Sequence, residues 1–260
     1  MKYVSYILAA FAVMALAACD GNKAKGGDVS GTSFDQSRIE AEIMEEIDSI
    51  AELWNERPAV HGVFTNGKVE LSVDDIKAKP DYLLPLDAAT DLSLLSQKYR
   101  ALGMYAVDIK VAELYKMDTG DYKVAISKIA ADVDDELLAE ASNDDADPKA
   151  FYEGEKELGR INLFWEASAA SIIETLYVIS QNTDKFIPLF DDNTVADLTY
   201  HIALLKLSLD ELATYDQNIK NLSELLAPLN DLNATTVAEF KAQISALTPK
   251  IQASRQALLK

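Results

Sequence analysis

Ile39, Ile43, Ile47, Ile50 and Trp54 step along the chain by four, four, three and four, the spacing of one apolar helix face. Glu40, Glu42, Glu45, Glu46, Asp48 and Glu52 cover much of the rest and read as a solvated face rather than a cation site. The pattern predicts a helix from about residue 34 to just before Pro58. Leu92, Leu95, Tyr99, Leu102, Ala106 and Ile109 predict a second over 88–117. Met104, Tyr105, Val107 and Val111 make it apolar on other sides too, as in the centre of a bundle. Asp108 lies inside this run, where a carboxylate is either paired or raised in pKa.

Asp118-Thr119-Gly120 closes that helix, and Ile126, Ile129, Val133 and Leu137 mark a shorter one over 122–141. A long helix is predicted over 149–183, with Leu158, Ile161, Trp165, Ala169, Ile172, Leu176 and Ile179 on one side. Asp147-Pro148 supplies its cap and first position. Ala167 to Ser171 are all small and permit a neighbouring helix to come close. Leu198, Ile202, Leu205, Leu209 and Leu212 keep a seven-residue rhythm that Ile219, Leu222 and Leu226 carry past Asp216. Thr236-x-x-Glu239 is a capping box before the last helix, whose Pro249 is expected to kink or split it near Leu247.

Residues 58–86 depart from this logic. Asn66-Gly67 between Val60–Thr65 and Lys68–Leu71 is a hairpin signal, and Ser72 with Asp75 caps one short helical turn. Pro80 and Pro85 bracket an extended or turn segment. The expected architecture is all-α: an elongated antiparallel bundle of five or six helices with a small hairpin or irregular insertion, in a single domain spanning 34–260.

The first residues carry a different message. Lys2 precedes an apolar stretch over 3–16, too short to span a membrane, then Ala17, Ala18 and the sole cysteine, Cys19. Leu16-Ala17-Ala18-Cys19 resembles a bacterial lipobox, in which the thiol receives a diacylglyceryl group and the mature N-terminus gains palmitate-type acyl chains. Residues 1–18 are then a signal peptide and 19–33, rich in Gly, Asp, Lys and Ser, a flexible tether. One cysteine leaves no intrachain disulfide and no multi-cysteine zinc site.

Charge narrows the partners. The 260 residues hold 24 Lys plus Arg against 43 Asp plus Glu, a net charge of -19, the wrong sign for a nucleic-acid binder. Residues that could carry chemistry are few. Asp197 and His201 share a helix face and could form an ion pair or half a metal site, but no Glu-x-x-His accompanies them. Asn143, Asp145 and Asp147 open like a calcium loop without its glycine or closing glutamate. Glu153, Glu157 and Glu166 share a helix, with nothing to single them out for acid–base work. No catalytic, cofactor-binding or metal-binding residue is assigned, and no cofactor is expected.

The lipobox, the acidic helical body and the segment Leu94-Leu95-Ser96-Gln97-Lys98-Tyr99-Arg100-Ala101-Leu102-Gly103-Met104-Tyr105 resemble uncharacterised helical lipoproteins of Bacteroides-type bacteria. That resemblance implies a lipid-anchored place in the cell envelope and supplies no catalytic residue. Asp20-Gly21-Asn22-Lys23 has one acid where surface-exported lipoproteins of such bacteria often carry an acidic run, which favours the periplasmic face of the outer membrane over the cell surface without deciding between them; Asp20 directly after the cysteine also resembles an inner-membrane retention signal of some enteric bacteria, a rule many other bacteria do not follow. The functional expectation is a structural or protein-interaction module anchored at Cys19. The alternative is a binder of a small ligand or cell-wall fragment, using Phe64 and Tyr82 with Trp54 and Trp165 as wall residues; a carboxylate-dependent hydrolase ranks third.

Overall fold

In the computed structural model, which describes residues 34–57, 59–64, 71–133 and 147–260, the isoleucine stripe forms α1 (Ala41–Asn55). Ile47, Ile50 and Trp54 are buried along it, Glu42, Glu45 and Glu52 are exposed, and Asp48 accepts from Tyr152 and Lys156. The chain then makes a 3₁₀ turn at Val60–Phe64 where a strand was expected, and Phe64 packs edge-on against Phe186, ring centroids 5.4 Å apart. The Asn66-Gly67 turn itself lies outside the described residues, as do Cys19, the signal segment and the tether.

Helix α2 (Val73–Ala78) begins where expected, with the Ser72 side chain accepting from the Asp75 backbone N–H. It stops at Lys79, whose φ of 43° turns the chain into Pro80. A strap follows through residues 80–86, then a turn at 86–91. Helix α3 (Leu95–Leu114) starts later than its apolar stripe predicts, because residues 86–91 spend their hydrogen bonds on that turn: Ala88 N to Pro85 O and Thr90 N to Asp87 O, each at 2.9 Å. Helix α4 (Gly120–Asp132) follows.

Two helices expected to be continuous are broken. The helix predicted over 149–183 is α5 (Pro148–Glu157) and α6 (Ile161–Gln181). Gly159, at φ 70°, donates to the Lys156 carbonyl and Arg160 N to the Glu155 carbonyl, a left-handed cap that ends α5. Leu158, which continues the apolar stripe on paper, is 54% exposed at this corner. Asp147 caps α5 and Pro148 is its first residue, as expected. After the short α7 (Thr183–Phe186), the seven-residue rhythm spans α8 (Asp192–Leu212) and α9 (Gln217–Leu226). Asp216 separates them by accepting from Asn218 N to cap α9, while its other oxygen accepts from Asn162 of α6.

Helix α10 (Val237–Leu258), by contrast, runs unbroken through Pro249. Proline removes the donor for the Ser245 carbonyl, and both residues lie on the exposed face, open to solvent that can take its place. The described residues thus hold ten α-helices and no strand, an all-α bundle with more, shorter helices than the five or six expected. None of them is long and apolar enough to cross a membrane.

Helix α6 is the axis of this arrangement, with its first ten residues all buried. Helix α3 lies against it so closely that a Cβ on Gly103 would sit 2.1 Å from the Ala167 carbonyl oxygen. This is the close approach that the small residues 167–171 foretold. Alanine at position 103 would improve helix propensity by about 1 kcal/mol, but the atom it meets is backbone and cannot rotate away. Gly103→Ala is expected to destabilise the fold by about 2–3 kcal/mol in urea titration. Gly120→Ala, whose Cβ would meet only the Asp118 side chain at 3.2 Å, should be near neutral.

Candidate functional site

The residues singled out from sequence fall mainly inside the protein. Phe64, Trp54 and Trp165 are buried, and Tyr82 is half-buried with its ring edge-on to Tyr177 at 6.5 Å. The Tyr82 hydroxyl lies 3.5 Å from that of Tyr115, which in turn accepts from Lys185 at 3.3 Å. Burial and the neighbouring Tyr115 push the Tyr82 phenol far above its ordinary value, so it stays neutral. Glu153 and Glu157 are exposed, whereas Glu166 is buried.

Asp197 and His201 do not pair through their side chains. Asp197 forms its ion pair with Arg57, and His201 Nδ1 lies 2.9 Å from the Asp197 backbone carbonyl. His201 Nε2 faces the Trp54 carbonyl at 3.3 Å, and burial pushes the imidazole pKa down. The residue joins α8 to the end of α1. Among the described residues no three His, Cys, Asp or Glu side chains converge as metal ligands.

What the sequence did not reveal is a row of buried acids on and beside α6, each met by an arginine. Glu155 accepts from Arg160 at 3.1 Å and from the Tyr99 hydroxyl at 3.0 Å. Glu166 pairs with Arg100 of α3, which also donates to the Leu258 carbonyl at 3.2 Å. Glu174 receives both Nε and Nη2 of Arg255 from α10, at 2.6 and 2.8 Å. The Arg255 fork on Glu174 fixes direction as well as distance, and the three pairs together tie α3, α5 and α10 to α6.

Asp108 adds a second carboxyl to the last of these pairs. It is fully buried, with Oδ2 accepting from the Leu84 backbone N–H at 2.7 Å. Burial first, then the adjacent Glu174, push its pKa well above the usual carboxylate range. Burial also raises Glu174, against the pull of Arg255. Neither carboxyl lines any of the larger surface depressions among the described residues.

The widest of those depressions is a groove of about 650 Å³ between the 86–91 turn, the start of α3 and the outer face of α4. Leu86, Ala89, Val124 and Ile129 give it an apolar floor, and Lys98, Lys128 and Asp121 stand in its wall. Its volume falls in the range of ligand-binding clefts. Leu86 is 41% and Val124 52% exposed, large apolar side chains on an otherwise acid-rich surface. The one sequence signal for it was Val124, an apolar residue off the Ile126–Ile129–Val133 stripe. No family model, no curated protein and no solved structure matches the chain.

Proposed function

We propose that the chain is an envelope lipoprotein, anchored through Cys19, that acts by binding a protein partner in the groove between the 86–91 turn and α4. The carrying observation is the groove itself: exposed Leu86 and Val124 beside Lys128 in a chain of net charge -19. Apolar side chains left in water at a concave site are available for burial against a partner. Lys128 in its wall selects a segment that places a carboxylate next to an apolar anchor and away from Asp121. The buried acids support the same reading, since their hydrogen bonds go to helix register and to the strap. Anchorage on the periplasmic face of the outer membrane, through acyl chains on Cys19, would keep the module where envelope proteins meet.

The test places a photoreactive side chain at position 124 of the full chain in cells, with position 73 as the control. Val73 is 68% exposed on α2, away from the groove. Expected are protein adducts at 124 and none at 73, with the adduct reduced several-fold by Lys128→Glu. Equal labelling at both positions, or adducts indifferent to Lys128→Glu, would overturn the reading. A small-mass adduct at 124 would replace the protein partner by a small ligand or wall fragment. Cys19→Ala should release the protein from the membrane fraction.

A further inference from the structure

The strap over residues 80–86 is pinned by Asp108 and Tyr105 of α3 and by Arg255 of α10. Leu84 N donates to Asp108 Oδ2 at 2.7 Å, and Arg255 Nη2 donates to the Tyr82 carbonyl at 3.3 Å. The Tyr105 hydroxyl, from the same face of α3, lies 3.0 and 3.1 Å from the Pro85 and Leu86 carbonyl oxygens. Immediately beyond, Leu86, Ala89 and Thr90 form one wall of the groove. The strap is therefore one piece of chain joining the buried acid to the open site.

Asp108 Oδ1 meets no donor, although it is wholly buried. Glu174 is the neighbouring acid whose charge bears on it, and both Glu174 oxygens already accept from Arg255. Two carboxylates that can only accept repel in a dry interior unless one carries a proton. We infer that Asp108 is a proton-loaded latch: with the proton on Oδ1, shared with Glu174, it holds the strap, and when the proton leaves it lets residues 82–86 lift and reshapes the groove wall. The consequence for binding rests on the groove reading above; the latch itself rests on the Asp108 cluster alone.

The groups facing the pair are Glu174 and Tyr177 from α6, Arg255 from α10, Tyr82 from the strap, Tyr105 from α3 and Tyr122 from α4, with Asp81 and Asp87 further out. The tyrosines are neutral, that of Tyr105 being pushed up to about 12 mainly by burial. Among these groups Arg255 is the one cation. It balances one carboxylate, so a second ionisation leaves a net negative charge that the single Leu84 N–H offsets only in part; water relieves the rest, and it enters by lifting the strap. The direction follows: Asp108 is raised in the folded state, so its stabilising effect is complete below the ordinary aspartate range and is lost as pH rises through the folded-state value.

The test is hydrogen exchange of the purified full chain between pH 6 and 9, with rates corrected for the base catalysis of free amides. Corrected protection of amides 82–84 and 86 should fall by roughly tenfold per pH unit once Asp108 begins to ionise, while amides in the middle of α6 hold theirs. In Asp108→Asn the carboxamide keeps an acceptor for Leu84 N and a donor toward Glu174. Its strap protection should stay within about twofold over the same range. Flat protection in the wild type, or the same fall in Asp108→Asn, would overturn the latch. Infrared spectra of the wild type with isotope-labelled aspartate give a readout that needs no variant. A protonated-carboxyl band should be present at pH 6 and fade in step with strap protection; its absence at pH 6 would also overturn the latch. Adducts at position 124 are read at one pH and strap protection across pH, so absent adducts with a pH-dependent strap sink the groove alone, and adducts with a flat strap sink the latch alone.

Discussion

Trp165→Ala should lower the stability of the chain by about 3–5 kcal/mol, measured by denaturant or thermal unfolding. Trp165 has no exposed surface and stands at the centre of an aromatic cluster. Its ring meets Phe164 at 5.0 Å, Trp54 at 5.5 Å and Tyr152 at 6.4 Å, all steeply inclined. Truncation removes these edge-to-face contacts and opens a cavity that α6, pinned by its ion pairs, cannot collapse. Trp165→Phe separates packing from chemistry. The indole N–H of Trp165 is buried without an acceptor, so phenylalanine loses some volume but also relieves an unsatisfied donor. Its cost should be about 1 kcal/mol or less, and a penalty equal to that of alanine would show that the N–H is satisfied by a buried water. A near-zero effect of Trp165→Ala would instead return this residue to the list of contact surfaces.

Local signals in the sequence translated well where the physics is local. The Ser72, Asp147 and Thr236 caps all form, because each needs only its own side chain and an N–H two or three residues on. The Ile39-to-Trp54 stripe and the small residues at 167–171 mark real burial, since periodicity reports which face meets the core. The breaks at 158–160 and 213–216 were missed because apolar periodicity continues across both. What interrupts them is a left-handed Gly159 and the capping carboxylate of Asp216. Pro249 failed in the opposite sense: a proline on an exposed face costs one hydrogen bond that solvent can replace. The stretch 58–86 stood out as irregular, but its Phe64 faces Phe186, a partner from far along the chain that no hairpin pattern announces.

The candidate site was less legible for the same reason. Asp108 was recognisable as a buried acid, whereas Glu174 and Arg255 lie 66 and 147 positions further on and meet it only in the folded bundle. The groove is likewise assembled from a turn and two helix surfaces. Its lysines look like any surface lysines until Leu86 and Val124 are seen beside them.

Arg255→Met is expected to be the most pH-dependent lesion in the molecule. The substitution keeps apolar bulk but removes both donors to Glu174, the bond to the Tyr82 carbonyl and the cation 4.0 Å above the Tyr177 ring. A buried carboxylate stripped of its partner costs about 3–5 kcal/mol, or else takes up a proton. Arg255 is what pulls Glu174 down against burial, so its removal lifts the Glu174 pKa further above the ordinary glutamate value of 4.5. A carboxyl raised in the folded state contributes fully below its unfolded value and loses that contribution as pH climbs to the folded value, at about 1.4 kcal/mol per pH unit. The wild type stops losing at the Glu174 value set by Arg255, whereas the variant goes on losing to a higher one. The difference between them should therefore be small near pH 4.5 and approach the full 3–5 kcal/mol near pH 8, read from urea midpoints across that range. A penalty independent of pH would assign the loss to packing and to the Tyr82 carbonyl instead. The double variant Arg255→Met, Glu174→Leu removes the orphaned charge. It should recover more than half of the pH 8 loss, because an apolar pair in a well-packed site is about as stable as the ion pair it replaces.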